Sequence, residues 1–128
     1  MSLHVQTSPG EFLDKLTILE IKSERIDDAA KLANVRRELE LLRATWRDSP
    51  LAVHDVSDLV AQLKQVNESL WDIEDRIRDK EAAAAFDTEF VELARAVYRT
   101  NDRRAAIKRE LNVMLGSDLI EEKSYKAY

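Results

Sequence analysis

Apolar residues recur at three- and four-residue intervals in four stretches of the chain, which short polar breaks separate. This interval matches the turn of an amphipathic helix, so each stretch predicts one helix with an apolar face. The third stretch keeps the interval through three heptads, which is typical of coiled-coil packing. Its seam consists of Leu59, Leu63, Val66, Leu70, Ile73 and Ile77. The pattern predicts an all-α fold.

Start and stop signals place the four predicted helices at about residues 9–26, 28–47, 57–81 and 88–115. Ser8 and Pro9 form a start signal, and Glu11 stands three residues after Ser8, as in a capping box. Gly116 suits the left-handed conformation that ends many helices. Short loops favour antiparallel neighbours. We therefore expect a single helical domain over residues 1–128, built as a four-helix antiparallel bundle with a short C-terminal tail.

The first predicted helix is apolar on two sides. Phe12 and Leu16 belong to one stripe, whereas Ile18 and Ile21 lie on the other side. Such a helix is usually buried between neighbours, either inside the domain or at a contact between subunits. We take the second face as a sign of a homodimer. The candidate interface residues are Ile18, Ile21, Trp71 beside the seam of the third helix, and Tyr125 in the tail.

The fourth predicted helix carries polar residues within its apolar face. Thr100 and Arg104 lie on the ladder that runs from Phe90 to Met114, and Asn101 lies beside them. A guanidinium at such a position is costly unless it is paired and fully hydrogen-bonded. Either Arg104 extends its head group to the rim of the bundle, or a carboxylate from another helix meets it.

Other helices offer polar residues close to their apolar faces: Asn67 and Glu74 on the third, and Asp14 and Arg25 on the first. Antiparallel packing could bring Glu74 or Asn67 to Arg104 or Asn101. The resulting cluster would be either a structural ion pair, which we favour, or a pocket for a small anion. The second alternative is similar to the helical chorismate mutases in architecture only, and it would act by positioning and electrostatics. Its candidate ligand-binding residues are Asn67, Glu74, Asn101 and Arg104.

The composition narrows the range of functions. The chain has no Cys and only two His, so neither a thiolate metal site nor a catalytic triad is indicated. A formal net charge of −5 argues against a nucleic-acid binder. We therefore expect the row Arg95, Arg99 and Arg103 to meet acidic residues of the third helix. The acidic residues themselves are interpreted as a solvated face, and we expect no metal and no cofactor.

The sequence shows neither a predicted membrane-spanning segment nor a predicted signal peptide. No apolar run approaches the roughly 20 residues that cross a bilayer. The first ten residues have neither the basic start nor the apolar core of a signal peptide. We expect a cytoplasmic protein that does not contact a membrane.

Four stretches together span nearly the whole chain: SPGEFLDKLTILEIKSERI, KLANVRRELELL, LWDIEDRIRD with VYRTNDRRAAIKRELN, and the closing EEKSY. In this arrangement the chain resembles a family of short bacterial proteins catalogued only as a domain of unknown function. The resemblance implies a small, stand-alone helical protein and transfers no activity, cofactor or site residue. The sequence favours a non-enzymatic helical interaction or scaffold protein. The alternative is a small helical enzyme or ligand-binding domain with an anion pocket around Arg104.

Overall fold

The computed structural model describes residues 1–128 as four α-helices without strands. The helices are α1 (Pro9–Arg25), α2 (Ala29–Arg47), α3 (Ser57–Ala82) and α4 (Thr88–Met114), and a 3-10 turn at Pro50–Val53 lies between α2 and α3. Each helix begins and ends within one or two residues of the position that the sequence predicts. The prediction of an all-α four-helix bundle is therefore confirmed.

Side-chain caps begin three of the helices. Ser8, Asp28 and Asp87 each accept a hydrogen bond from the backbone N–H three residues later. Such caps satisfy N–H groups that have no partner within the helix. The structure has no reciprocal bond from Glu11 to Ser8, because the Glu11 carboxylate instead pairs with Lys108 of α4. Beyond α4, Gly116 has a φ of 65°, as expected of a residue that ends a helix.

Helix α1 is the centre of the bundle. It packs against α2, α3 and α4, whereas α2 packs only against α1 and the 3-10 turn. Most of the two apolar sides of α1 is therefore covered within one chain: Ile21 is only 1% exposed, whereas Ile18 is half-buried. The main core consists of Leu13, Leu16, Leu19, Leu39, Val56, Leu63, Val66, Ile107, Leu111 and Leu115.

Helices α3 and α4 form an antiparallel hairpin that is longer than α1. Close to its end, α1 is fixed to α3 by Arg25, whose Nη1 lies 2.6 Å from Asp72 Oδ1. Beyond that point α3 and α4 continue as a pair, joined by Arg76–Glu89 and Lys80–Asp87 ion pairs of 2.9 Å. We call residues 73–97 the arm. No helix of the chain combines the length and the apolar character needed to cross a membrane.

Candidate functional site

A buried carboxylate, that of Asp14 on α1, joins three helices. Its Oδ1 accepts hydrogen bonds from Asn67 Nδ2 on α3 and from Arg104 Nε on α4, both at 2.9 Å. Its Oδ2 accepts a bond of 2.5 Å from Arg104 Nη2. The guanidinium therefore binds the carboxylate through two parallel bonds, which is the strongest geometry for this pair. Asp14 is 2% exposed.

Thr17 completes this cluster from the next turn of α1. Its hydroxyl donates to the carbonyl of Asp14 at 2.8 Å and accepts from Asn67 Nδ2 at 3.0 Å. The three-residue spacing places Asp14 and Thr17 on the same face of the helix. No buried side-chain nitrogen or oxygen in the chain lacks a hydrogen-bond partner. The cluster is thus closed by its own members, and we call Asp14, Thr17, Asn67 and Arg104 the polar cluster.

Arg104 is charged and directed at Asp14. The hydrogen bond to Asp14 raises the pKa of the guanidinium and outweighs the opposing effect of burial. Its side chain keeps 28% of its surface exposed, so one edge of the group reaches solvent. The sequence left two alternatives for Arg104, a head group that reaches the rim of the bundle or a carboxylate partner on another helix. In the structure Arg104 pairs with a carboxylate of another helix. Both oxygens of that carboxylate accept hydrogen bonds, two at Oδ1 and one at Oδ2.

A second set of polar contacts lies one turn further along α4. Lys108 Nζ lies 2.7 Å from Glu11 of α1 and 3.2 Å from Glu121 of the tail. Burial lowers the pKa of this ammonium, but the hydrogen bonds that it donates to the two carboxylates outweigh burial and raise the pKa. Asn112 Oδ1 accepts from the backbone N–H of Gly10 at 2.7 Å. These contacts fix the start of α1 against the end of α4.

Comparison with known proteins identifies the family. A sequence model described as a family of unknown function, DUF6165, matches residues 3–128. The chain belongs to DUF6165. No curated protein and no solved structure gives a significant match. The match covers almost the whole chain, so the four helices and the tail of this DUF6165 protein fall within one family unit.

The polar cluster contains two of the four residues that the sequence analysis named as ligand-binding candidates, Asn67 and Arg104. Asn101 is half-buried and lines a cleft beneath the tail instead. Glu74 does not reach Arg104. It is exposed on the arm, where its carboxylate lies 3.8 Å from Arg78 on the same helix. The carboxylate that meets Arg104 comes from α1, because α1 and not the upper part of α3 packs against this turn of α4.

The interface candidates are dispersed in this DUF6165 chain. Ile21 is buried inside the bundle and Ile18 is half-buried. Trp71 is half-buried below the guanidinium of Arg25, which lies 5.8 Å from the centre of its ring. Tyr125 is 79% exposed on the tail. On the second face of α1, Ile21 is therefore covered within the chain, whereas Ile18 keeps part of its surface exposed.

The basic row of α4 does not meet acidic residues of α3, so this expectation is wrong. Arg95 pairs with Glu92 of its own helix at 3.2 Å. Arg99 and Arg103 are exposed and form no ion pair. The face of α4 that packs in the bundle carries Leu93, Thr100 and Ile107, and the arginines lie outside it. No group of His, Cys, Asp and Glu side chains is arranged to hold a metal ion.

The tail lies along α4 in an extended form after Gly116. Glu121 and Glu122 approach Lys108 and Arg109 at 3.2 and 3.5 Å. At the end of the chain the ring of Tyr128 packs edge-on against Tyr98 with centroids 5.0 Å apart, and its hydroxyl donates to Asp102. Two cavities of about 260 and 930 Å³ remain between the tail and the helix. The tail contacts α4 at both ends and leaves space below its middle.

Acidification is expected to release the tail. Pairing with Lys108 lowers the pKa of Glu121 below its ordinary value of 4.5. A lowered pKa means that the docking contribution is fully present above pH 4.5 and is lost as the pH falls through the lowered value. The measurement is the pH dependence of the backbone NMR shifts of residues 119–128. Glu121→Gln removes the titrating group and serves as the control. The idea fails if the shifts of the tail change only where the whole bundle unfolds.

Proposed function

We propose that this protein is a non-enzymatic helical interaction protein that forms a homodimer through the arm. The polar interior supports the first part of the proposal. Arg104 is held by both oxygens of Asp14, and Asn67 and Thr17 complete the cluster. Two N–H groups of Arg104 and the amide group of Asn67 donate within the cluster, which leaves fewer donors for a bound anion. The closed cluster is better explained as a device that fixes the register of three helices.

The groove that holds α1 continues into the arm, and this observation carries the second part of the proposal. In the lower half of α4, Arg104 and Lys108 face α1 through Asp14 and Glu11. The same row continues upward at three- and four-residue steps as Asn101, Val97, Ala94 and Phe90. Asn101 and Val97 line the cleft beneath the tail, so Ala94 and Phe90 are the members of the row that remain for a contact of the arm. The row becomes apolar at the level where α1 ends. Only Leu93 is fully buried within the arm, whereas Phe86 and Val91 are 60% and 51% exposed.

A second copy of the chain is the occupant that fits this groove. Helix α1 packs against both α3 and α4 in the lower half of the hairpin, so a helix of a second copy would meet the same pair of helices in the arm. The arm itself carries helices with the heptad spacing that lets helices pack side by side. Two arms related by a two-fold axis would place a helix of each copy in the groove of the other, and such self-complementary contacts are the commonest in dimers. The arm is short, so we expect a weak dimer with a small interface.

The dimer is tested by sedimentation equilibrium of the wild type and of Ala94→Glu, since Ala94 is an exposed member of the groove row. Wild type is expected to associate in the micromolar range or above. A carboxylate in an apolar contact is costly to bury, so Ala94→Glu should weaken association by at least about tenfold, which is ~1.4 kcal/mol. Ala33→Glu is the matched control, because Ala33 is an exposed alanine of α2, outside the arm. Equal effects of the two changes, or a wild type that stays monomeric at all accessible concentrations, would contradict the proposal.

The salt dependence of association provides an independent test of a dimer formed through the arm. Residues 73–97 contain seven acidic and four basic residues, so each arm carries a net charge of −3. Two arms therefore repel each other, and added salt screens this repulsion. Association through the arm should become tighter between about 0.05 and 0.5 M salt. An interface formed by ion pairs would show the opposite trend.

A further inference from the structure

The basic lower half of α4 forms one side of a site whose other side is the tail. Residues 98–112 contain five basic and two acidic residues. Lys108 and Arg109 are the basic residues that pair with the tail, whereas Arg104 is paired with Asp14. Within this segment Lys108 is only 9% exposed and Glu11 of α1 holds it at 2.7 Å. Glu11 therefore provides Lys108 with a partner that does not depend on the tail. Tyr98 and Asp102 lie two to three turns away on the same helix.

The tail occupies this surface by contacts at its two ends. Glu121 and Glu122 pair with Lys108 and Arg109, and Tyr128 packs on Tyr98 and donates to Asp102. The pairing groups on α4 are partly built into the bundle, whereas every residue from 118 to 128 is exposed. Of the two pairs, Arg109–Glu122 is exposed on both sides, and such a pair contributes at most about 1 kcal/mol. The cavity of about 930 Å³ below residues 123–128 adds no packing. The tail is thus held weakly on a preformed surface.

We propose that residues 98–112 of α4 bind an extended peptide of another protein, and that the tail is a built-in substitute for that peptide. The chemistry of the surface specifies the ligand. Two adjacent carboxylates would pair with Lys108 and Arg109, and an aromatic side chain about six residues later would pack on Tyr98. The spacing is read from the tail, in which Tyr128 follows Glu122 by six positions. The site adjoins the arm, because Val97 lines the cavity below residues 123–128, but its ion pairs and its ring contact lie outside the arm.

The site is tested with a full-length variant from which the tail has been released. Glu121→Lys combined with Glu122→Lys places like charges against Lys108 and Arg109 and should displace the tail. The probe is a fluorescent peptide with the sequence of residues 117–128, and its binding is followed by anisotropy. A tethered tail competes at an effective concentration of about 1 mM. If the peptide binds with a Kd of about 0.1 mM, its apparent affinity should be roughly tenfold higher for the double variant than for the wild type.

The controls separate the site from a general effect of charge. Asp27→Lys combined with Glu81→Lys makes the same change in net charge at two exposed carboxylates that lie outside α4 and form no ion pair, and should bind the peptide as weakly as the wild type. Peptides with Glu121→Ala and Glu122→Ala, or with Tyr128→Ala, should each bind several-fold more weakly. Adding Tyr98→Ala to the double variant should weaken binding as well.

Three outcomes would overturn the proposal. The first is equal peptide affinity in the wild type and the double variant, and the second is no binding to either at millimolar peptide. The third concerns the partner. If unlabelled wild-type protein displaces the peptide and sediments as a complex with the double variant, the occupant is the tail of a second copy and not another protein.

Discussion

Replacing Asp14 with alanine is expected to lower the free energy of unfolding by about 3 kcal/mol. The change leaves Arg104 charged without its counter-ion and leaves Asn67 without one of its two acceptors. Loss of one member of a buried ion pair typically costs about 3–5 kcal/mol. We place the effect at the low end because 28% of the Arg104 side chain is exposed, so that water can replace part of what is lost. The cost is a large part of the about 5–15 kcal/mol that stabilises a typical domain.

Urea denaturation followed by circular dichroism measures this effect. The midpoint should fall while the slope of free energy against urea stays the same, as expected if only stability changes. Glu110→Ala is the control, because Glu110 is an exposed carboxylate of α4 and should change stability by no more than about 0.5 kcal/mol. A loss below about 1 kcal/mol in Asp14→Ala would mean that the polar cluster does not hold the helices together.

Replacing Gly10 with alanine should destabilise the protein by about 2 kcal/mol, although alanine is normally the better helix former. A Cβ at this position would collide with the backbone carbonyl oxygen of Lys108 and would lie 2.9 Å from Asn112 Oδ1. A backbone atom cannot turn aside as a flexible side chain can, so α1 would have to move away from α4. That movement would also stretch the hydrogen bond from Gly10 N–H to Asn112.

A comparison with Asn112→Ala tests whether Gly10→Ala acts through the contact between α1 and α4. Asn112→Ala removes the acceptor of the Gly10 N–H and should cost about 1–2 kcal/mol by itself. In the double variant the two costs should not add, because both changes act on the same contact. Thermal unfolding of the three variants measures this. A Gly10→Ala protein that is more stable than the wild type would show that α1 and α4 do not approach as closely as described.

The fold was predictable because local signals in the sequence agree with one another. Caps at Ser8 and Asp87, the stop at Gly116 and the apolar spacing of α3 all act within a few residues. Helix boundaries depend on such short-range contacts and need no knowledge of the neighbours. The arrangement of the helices was harder to predict from the sequence, because the two apolar sides of α1 are equally consistent with a neighbour in the same chain or in another.

The candidate site was predictable only in part, and the pairing of Arg104 shows why. Its position on the apolar ladder indicates that it needs a partner, and Asp14 was among the polar residues with suitable positions. The choice between Asp14 and Glu74 depends on which helix crosses α4 at Arg104, and crossing points are set by packing over the whole bundle. Gly10 and Asn112 gave no separate signal, because close approach of two helices is a property of the assembled structure.

The attachment of α2 to a single helix has a consequence for how the molecule opens. Since α2 contacts only α1 and the 3-10 turn, its detachment would leave every contact among α1, α3 and α4 in place. Parts of a protein with few neighbours open at a lower free energy than the centre of the core. The chain therefore contains two regions of unequal local stability. One is a three-helix centre that includes the polar cluster, and the other is an outer helix that can detach from this centre.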